Sequence, residues 1–498
     1  MNKKYCGMIL CTLLILSVLP AANSSMISNH NDLKTNETIG SWSDTDWWTM
    51  FHHDPVHTGF STSKAPNTNI VLWHNETDLL IESSPAIVDG KVYVGCNDGR
   101  IYCFNELTGT FLWRYSTGAQ VTSSPAVANG KVYFGSTDDK IYCLDALNGS
   151  FIWSYTTGSD ILSSPAVVNG KIYVGSTDFK MYCLNAENGS FLWEYITGDA
   201  VTSSPAVDNG KIYFGSWDSK VYCLDAENGS FIWSYITGDI IQSSPAVINS
   251  MLYVGSYDAK LYCLNAENGS LLWNFSTGNT IQSSPALANE SVFVGSSDGR
   301  LYCLNATTGT ENWNYSTGGP IQSSPAVADK KVYVGSDDKK IYCLNASTGV
   351  YIWNYETGSE VKSSPAIADG KLFIGLTNNL FAFEYISGFF VHITRPGLSF
   401  YINNKDIMNL SFFQKFHWPF AKPLIIGYIN IEVQASDSQV GIQRVEFIID
   451  GSLKATVTAP PYTWQWSEFG IFLHTISVVA YNTHNDTRSD QMIVWKFL

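Results

Sequence analysis

The chain has 498 residues, 45% of them hydrophobic and only 15% charged, which is enough apolar material for a large core and more than one domain. Its formal charge of −15 leaves no Lys/Arg stripe able to neutralise phosphates, so a nucleic-acid partner is excluded.

Lys3 and Lys4 precede an apolar run from Met8 to Leu19, and the small residues Ala21, Ala22 and Ser24 follow. This is the three-part pattern of a secretory signal, assigned to residues 1–23. The run is too short for a membrane span and no second one follows, so the mature chain is expected to be secreted or at the cell surface without a span. An uncleaved anchor is the competing reading. Neither Cys6 nor Cys11 sits behind a lipoprotein cleavage box. Residues 24–46 read as a polar linker and 47–69 as a lead-in segment.

From residue 70 to about 390 the sequence repeats. Ser-Ser-Pro-Ala begins at Ser83, Ser123, Ser163, Ser203, Ser243, Ser283, Ser323 and Ser363, always 40 residues apart. Trp73, Trp113, Trp153, Trp193, Trp233, Trp273, Trp313 and Trp353 keep the same step, ten residues before each serine pair. Each unit holds four short alternating runs separated by turn residues: Ser163–Val168, a turn at Asn169-Gly170, Lys171–Gly175, Met181–Asn185, and Phe191–Tyr195 after Asn188-Gly189. An all-β fold of eight four-stranded antiparallel blades, an eight-bladed β-propeller, is predicted. Pro165 and its equivalents confine the first run to an edge. Small Ser-Ser-Pro-Ala residues suit the crowded axis and the Trp run the wide rim. The last unit lacks a fourth strand and the Trp73 run lacks three, so together they should complete blade 8; Phe389–Ile393 is the competing fourth strand.

The stretch Cys143-Leu144-Asp145-Ala146-Leu147-Asn148-Gly149-Ser150-Phe151-Ile152-Trp153 resembles the tryptophan-docking motif of the pyrroloquinoline-quinone (PQQ) repeat. The resemblance implies an eight-bladed propeller in which Gly149 and Trp153, with their equivalents, pack into a girdle; cysteine stands where the family usually has alanine. Trp48-Thr49-Met50-Phe51-His52-His53-Asp54-Pro55-Val56-His57-Thr58-Gly59 looks like the lead-in of similar secreted propellers, some archaeal. A WD40 reading fails because Asp never follows the tryptophan. Quinoprotein dehydrogenases of this family carry a calcium site, a catalytic aspartate and often a Cys-Cys pair. This chain has no such pair and no inserted loops between its uniform blades, so no catalytic, cofactor-binding or metal residue is assigned and no cofactor is expected. Outer-membrane assembly lipoproteins with the same repeat bind partner proteins and are the nearer analogy.

Cys103, Cys143, Cys183, Cys223, Cys263, Cys303 and Cys343 recur once per unit and read as small buried hydrophobes too far apart for disulfides, which suggests a reducing or anoxic habitat. His52, Asp54 and His57 have zinc-ligand chemistry but more simply pack on the propeller. Units differ most in the turn between second and third strands and in the turn entering the first. Asp98, Asp138, Asp178, Asp218, Asp258, Asp298 and Asp338 form an acidic ring there, broken at Asn378, with Phe179, Trp217 and Tyr257 on three successive blades. Phe179, Trp217, Tyr257, Asp178, Asp218 and Asp258 are therefore the candidate ligand face, for an envelope protein or a polysaccharide; ordinary solvated turns are the alternative. Asn-X-Ser/Thr sequons at Asn148, Asn188, Asn228, Asn268, Asn274, Asn305, Asn314 and Asn345 are explained in part by turn chemistry, yet lie at the rim.

Residues 391–498 change pattern. Ile429, Ile431 and Val433 alternate with polar residues, Val445, Phe447 and Ile449 run into Asp450-Gly451, Tyr462, Trp464 and Trp466 form a third run, and Ile476–Tyr481 a fourth. Arg444 to Gly451 followed by Pro461-Tyr462 resembles bacterial Ig-like modules, which implies a β-sandwich, here without a disulfide, serving as spacer or adhesion unit. Phe412, Phe413, Phe416, Trp418 and Phe420 are expected in core or interdomain packing. The combined reading is a non-enzymatic exported binding platform, with a PQQ-dependent dehydrogenase and a purely structural envelope component as the alternatives.

Overall fold

The computed structural model describes residues 46–385, 388–396, 399–409, 422–437 and 441–497, all in a compact unit, Asp44–Leu498. The signal pattern, the linker before Asp46 and the aromatic set Phe412 to Phe420 lie outside the described residues. No helix is present among the described residues, and none is long and apolar enough to cross a membrane.

Eight four-stranded antiparallel sheets follow one another at the 40-residue step: blades 1 to 7 at 86–116, 126–156, 166–196, 206–236, 246–276, 286–316 and 326–356, and blade 8 at 366–384. The outer strand of blade 8 is Val71–Glu76, which pairs antiparallel with Asn379–Glu384. Both ends of the array thus share one sheet, and Phe389–Arg395, the competing candidate, pairs instead with Ile429–Asp437.

A single row of side chains explains the wedge shape. In blade 3, Ala166 lies opposite Tyr173, Tyr173 opposite Cys183, and Cys183 opposite Trp193. Volume is smallest at the axis and largest at the rim, and the cysteine fits between two rings. Neighbouring blades cover both faces of the middle strands, which are buried almost throughout, whereas the outer strand alternates between buried and exposed. The eight described cysteines are free and buried; burial pushes the Cys143, Cys183 and Cys223 thiols up to about 12.

The inner strand is shorter than the sequence pattern implies: it begins at Ala166, not Ser163. Pro165 cannot donate to a ladder, and the serines before it bond elsewhere. The first serine of each pair accepts the N–H of the glycine ending its own second strand, as Ser163 does from Gly175 at 3.2 Å. The second accepts the N–H of its counterpart one blade back, as Ser164 does from Ser124, and these bonds run from Ser84 to Ser364 at 2.9–3.0 Å. Ser363 Oγ donates to Ser83 O at 2.9 Å and closes the ring.

At the rim, tryptophan indoles donate to a carbonyl of the next blade, as Trp113 to Ala146 at 3.3 Å and Trp233 to Ala266 at 3.1 Å, and Trp353 donates to Pro66 of the lead-in at 3.4 Å. The following glycine lies flat on that ring. A Cβ on Gly149 would stand 2.5 Å from Trp113, and Gly149 has φ +72°, so two constraints select glycine.

The second module packs a three-stranded sheet (Phe389–Arg395, Ile429–Asp437, Tyr462–Trp466) against a seven-stranded one. The alternating residues Ile431, Val433, Val445, Phe447, Ile476 and Val478 form its core with Trp466 and Tyr462. It is an Ig-like β-sandwich.

Candidate functional face and axial channel

The acidic ring is held inward. Asp178 accepts the Gly158 N–H of the preceding blade at 2.8 Å, the Tyr182 hydroxyl at 2.5 Å and the Lys180 N–H at 3.2 Å. Asp218 and Asp258 repeat the set with Gly198 and Tyr222, and with Gly238 and Tyr262. These carboxylates join blade to blade. Burial, with the neighbouring carboxylate, pushes the tyrosine hydroxyls up, so they stay donors. The offsets of four residues from Asp to Tyr and twenty back to Gly recur in the sequence and could have revealed this role.

The aromatic side chains divide. Trp217 and Tyr257 occupy equivalent positions, one residue before the ring aspartate on blades 4 and 5, and each is tied to the residue just before its blade's serine pair. Trp217 Nε1 donates to Thr202 Oγ1 at 2.9 Å, leaving the side chain 37% exposed, and the Tyr257 hydroxyl donates to Gln242. Phe179 stands one residue after its aspartate on blade 3, 45% exposed, with φ +73°, and no ring contact joins it to the other two among the described residues. A phenylalanine in the left-handed region costs about 1 kcal/mol, which glycine or aspartate would lessen.

Sequence reasoning singled out these turns but not their partners. Glu82, Thr122, Leu162, Thr202, Gln242, Gln282, Gln322 and Lys362 form an inner ring, each between a buried apolar residue and a buried serine and itself less buried. Its signal is that this position varies between constant neighbours. Asn97 donates to Glu82 at 3.2 Å and Gln322 to Asp337 at 3.0 Å. Asn97 Oδ1, Thr122 Oγ1, Asp138 Oδ1 and Asp337 Oδ1 are buried without a hydrogen-bond partner among the described residues.

On the inner-strand level the axis is filled by the lead-in. Carbonyls of Trp48, Thr49, Pro55, Val56, Thr58 and Gly59 accept the N–H groups of Ile87, Val127, Val207, Val247, Leu287 and Val327 at 2.6–2.9 Å, so one segment caps the inner strands of six blades. Phe60–Ser61 adds a parallel strand to blade 7. His52 Nδ1 faces His57 O at 3.4 Å, and His57 Nδ1 faces Pro245 O at 3.0 Å. Burial lowers His52 to about 3 and His57 to about 4, so both are neutral. Burial also disfavours charged His53, but bonds to Asp46 at 3.0 Å and Asp54 at 3.2 Å prevail and hold it up at about 9. Asp54 further accepts from Val56 and Thr58. His52, Asp54 and His57 are thus engaged as parts of the axial segment, and no group of three metal-ligating side chains converges among the described residues.

Two clefts lie elsewhere. One, of about 480 Å³, separates the blade 7 rim from the sandwich and is lined by Tyr351, Glu432, Gln434 and Tyr462 among others; burial raises the Glu432 carboxyl. The other, of about 560 Å³, lies beside Pro55 and Val56 against blades 3 and 4.

Comparison with known proteins agrees with this architecture. A family model described as the outer membrane protein assembly factor BamB matches residues 97–239 and 317–385, one described as the β-propeller of beta-alanine-activating enzyme matches 169–336, and one described as a bacterial Ig domain matches 425–487. The chain is a PQQ-repeat propeller followed by a bacterial Ig-like domain. Among solved structures, this PQQ-repeat chain is similar to BamB from Moraxella catarrhalis (18% identity, TM-score 0.56, covering 64% of this chain and 99% of that one). It is also similar to a europium-containing methanol dehydrogenase (14%, 0.59, 69% and 98%) and to quinohemoprotein alcohol dehydrogenase from Comamonas testosteroni (15%, 0.58, 72% and 84%). At these identities the likeness is one of fold. No curated protein matches the sequence.

The dehydrogenase neighbours raise the question of a quinone with its cation. The described residues do not fit that pair: Asp178, Asp218 and Asp258 are engaged by Gly N–H and Tyr O–H donors, Asp138 keeps only a single buried Oδ1 without a hydrogen-bond partner, and the inner-strand level of the axis is occupied by residues 48–61.

Proposed function

We propose that this PQQ-repeat propeller is a non-enzymatic binding platform of an exported envelope protein, with its ligand face on the turns that carry Trp217 and Tyr257. The observation that carries the reading is that these two rings are partly exposed yet fixed by Thr202 and Gln242, on the face where the otherwise uniform blades diverge. A ring held in orientation before binding loses little entropy on contact. The match to a BamB family model supports a protein-binding, assembly-type role, and the bacterial Ig-like domain supports an envelope setting in which that module acts as spacer or adhesion unit. The ligand is an envelope protein or polysaccharide.

Affinity capture from an envelope extract with the full chain tests the platform. A specific protein or polysaccharide retained in stoichiometric amount is expected; an empty capture favours the purely structural alternative. The dehydrogenase alternative is separated by adding pyrroloquinoline quinone with calcium: a bound-quinone absorbance together with dye reduction would overturn the non-enzymatic reading.

A further inference from the structure

The outer strands of blades 1 to 5 begin with two exposed apolar residues, from Phe111 and Leu112 to Leu271 and Leu272. Phe151 and Phe231 are 50% and 52% exposed. A contiguous apolar belt of this kind on an exported protein calls for a cover. Blade 6 has Glu311 and Asn312 at these positions, and the blade 7 pair, Tyr351 and Ile352, lines the cleft against the sandwich.

The sequons of the form Asn-Gly-Ser follow the same boundary. They occupy the turns of blades 2 to 5 at Asn148, Asn188, Asn228 and Asn268. Each turn sits on the tryptophan of the preceding blade, as Gly149 does on Trp113 and Gly269 on Trp233, so the four asparagines mark the four seams between blades 1 and 5. Those are the seams flanked on both sides by the exposed pairs. The turn itself does not require asparagine, because Thr-Gly-Thr in blades 1 and 6 gives its glycine a similar φ, +68° and +71° against +72° at Gly149. Each of the four is exposed. Oδ1 accepts the N–H of the serine two residues on, at 2.8–3.0 Å, while Nδ2 has no hydrogen-bond partner among the described residues. Some other sequons lack this freedom: Asn75 Nδ2 donates to Gly109, Asn314 Nδ2 to Glu311 at 2.6 Å, and Asn305 and Asn345 are partly buried pivots of their turns; Asn274, Asn289 and Asn485 are exposed but lie outside the Asn-Gly-Ser turns at the four seams.

We infer that Asn148, Asn188, Asn228 and Asn268 are N-glycan acceptors and that the glycans cover the apolar rim of blades 1 to 5. The inference rests on the export reading. The donor would be an oligosaccharide linked through its anomeric carbon to a polyprenyl phosphate or diphosphate: Nδ2 forms the N–C bond, the anomeric C–O bond breaks, the lipid phosphate leaves with the electron pair, and the transferase base takes the amide proton.

The test is glycopeptide mass spectrometry on the full chain purified from its producing organism, with cellular fractionation in parallel. Sugar is read on the intact peptide because Asn-Gly also deamidates. Sugar at the four positions, lost one site at a time in Ser150→Ala, Ser190→Ala, Ser230→Ala and Ser270→Ala and kept in Ser150→Thr, is the expected result. An exported chain with the four asparagines bare overturns the glycan assignment and leaves export standing. A chain confined to the cytoplasm with an intact leader overturns the export reading, and the glycan assignment with it.

Discussion

At the residue scale, the repeat is governed by a few side chains that recur at fixed spacing and pack against the neighbouring blade. Gly149 illustrates it, because its positive φ and its closeness to Trp113 are separable constraints. Gly170 has a similar φ, +75°, but nothing within 4 Å of where a Cβ would go. Gly170→Ala should therefore cost about 1 kcal/mol in urea unfolding, and Gly149→Ala about 2–4 kcal/mol, the excess reporting the rim contact. Equal costs would show that tryptophan docking contributes nothing. The glycine, the tryptophan and their spacing were legible in the sequence because each recurs eight or nearly eight times. The inward role of Asp178, Asp218 and Asp258 was not, since an acidic residue in a turn reads as solvated until its Tyr and Gly partners are seen to share its period. Those carboxylates therefore hold the candidate face in shape, and the partly exposed Trp217 and Tyr257, with the inner ring, are its proposed contacts.

At the scale of elements, the lead-in is where sequence and structure parted most. Residues 47–69 have no apolar period that tells where a coil will run, and packing on the propeller was as far as pattern could go. The structure threads it through the axis, where its carbonyls meet six blades' N–H groups. Its three histidines give this segment a pH signature. His53 is raised from 6.5 to about 9, so its contribution is complete below pH 6.5 and is lost as pH rises through 9; the shift is worth up to about 3 kcal/mol. His52 and His57 are lowered, so their neutral burial is uncosted above pH 6.5 and destabilises as pH falls towards 4. Unfolding free energy should fall from pH 6.5 to 9.5 in the wild type and stay flatter over that range in His53→Asn, while the acid limb is shared. Identical alkaline limbs would mean that the pair with Asp46 and Asp54 does not hold the segment.

At the scale of the molecule, closure was legible from counting strands, because the last unit is one strand short and the Trp73 strand stands alone before the first. Truncation before Thr77 removes both the blade 8 outer strand and the axial segment. The array should then unfold at lower urea with a shallower transition, as repeats lose their common ring; an unchanged midpoint and slope would show that closure is dispensable. Function was less legible, because uniform blades encode folding and only the divergent turns can encode a partner. The central claim, that those turns bind, is tested most directly by repeating the envelope capture with three proteins side by side: wild type, Trp217→Ala/Tyr257→Ala, and Lys171→Ala/Glu227→Ala, an ion pair away from those turns. The aromatic double variant is expected to lose at least tenfold of the captured ligand while the ion-pair variant retains it. Equal capture by all three would contradict that claim.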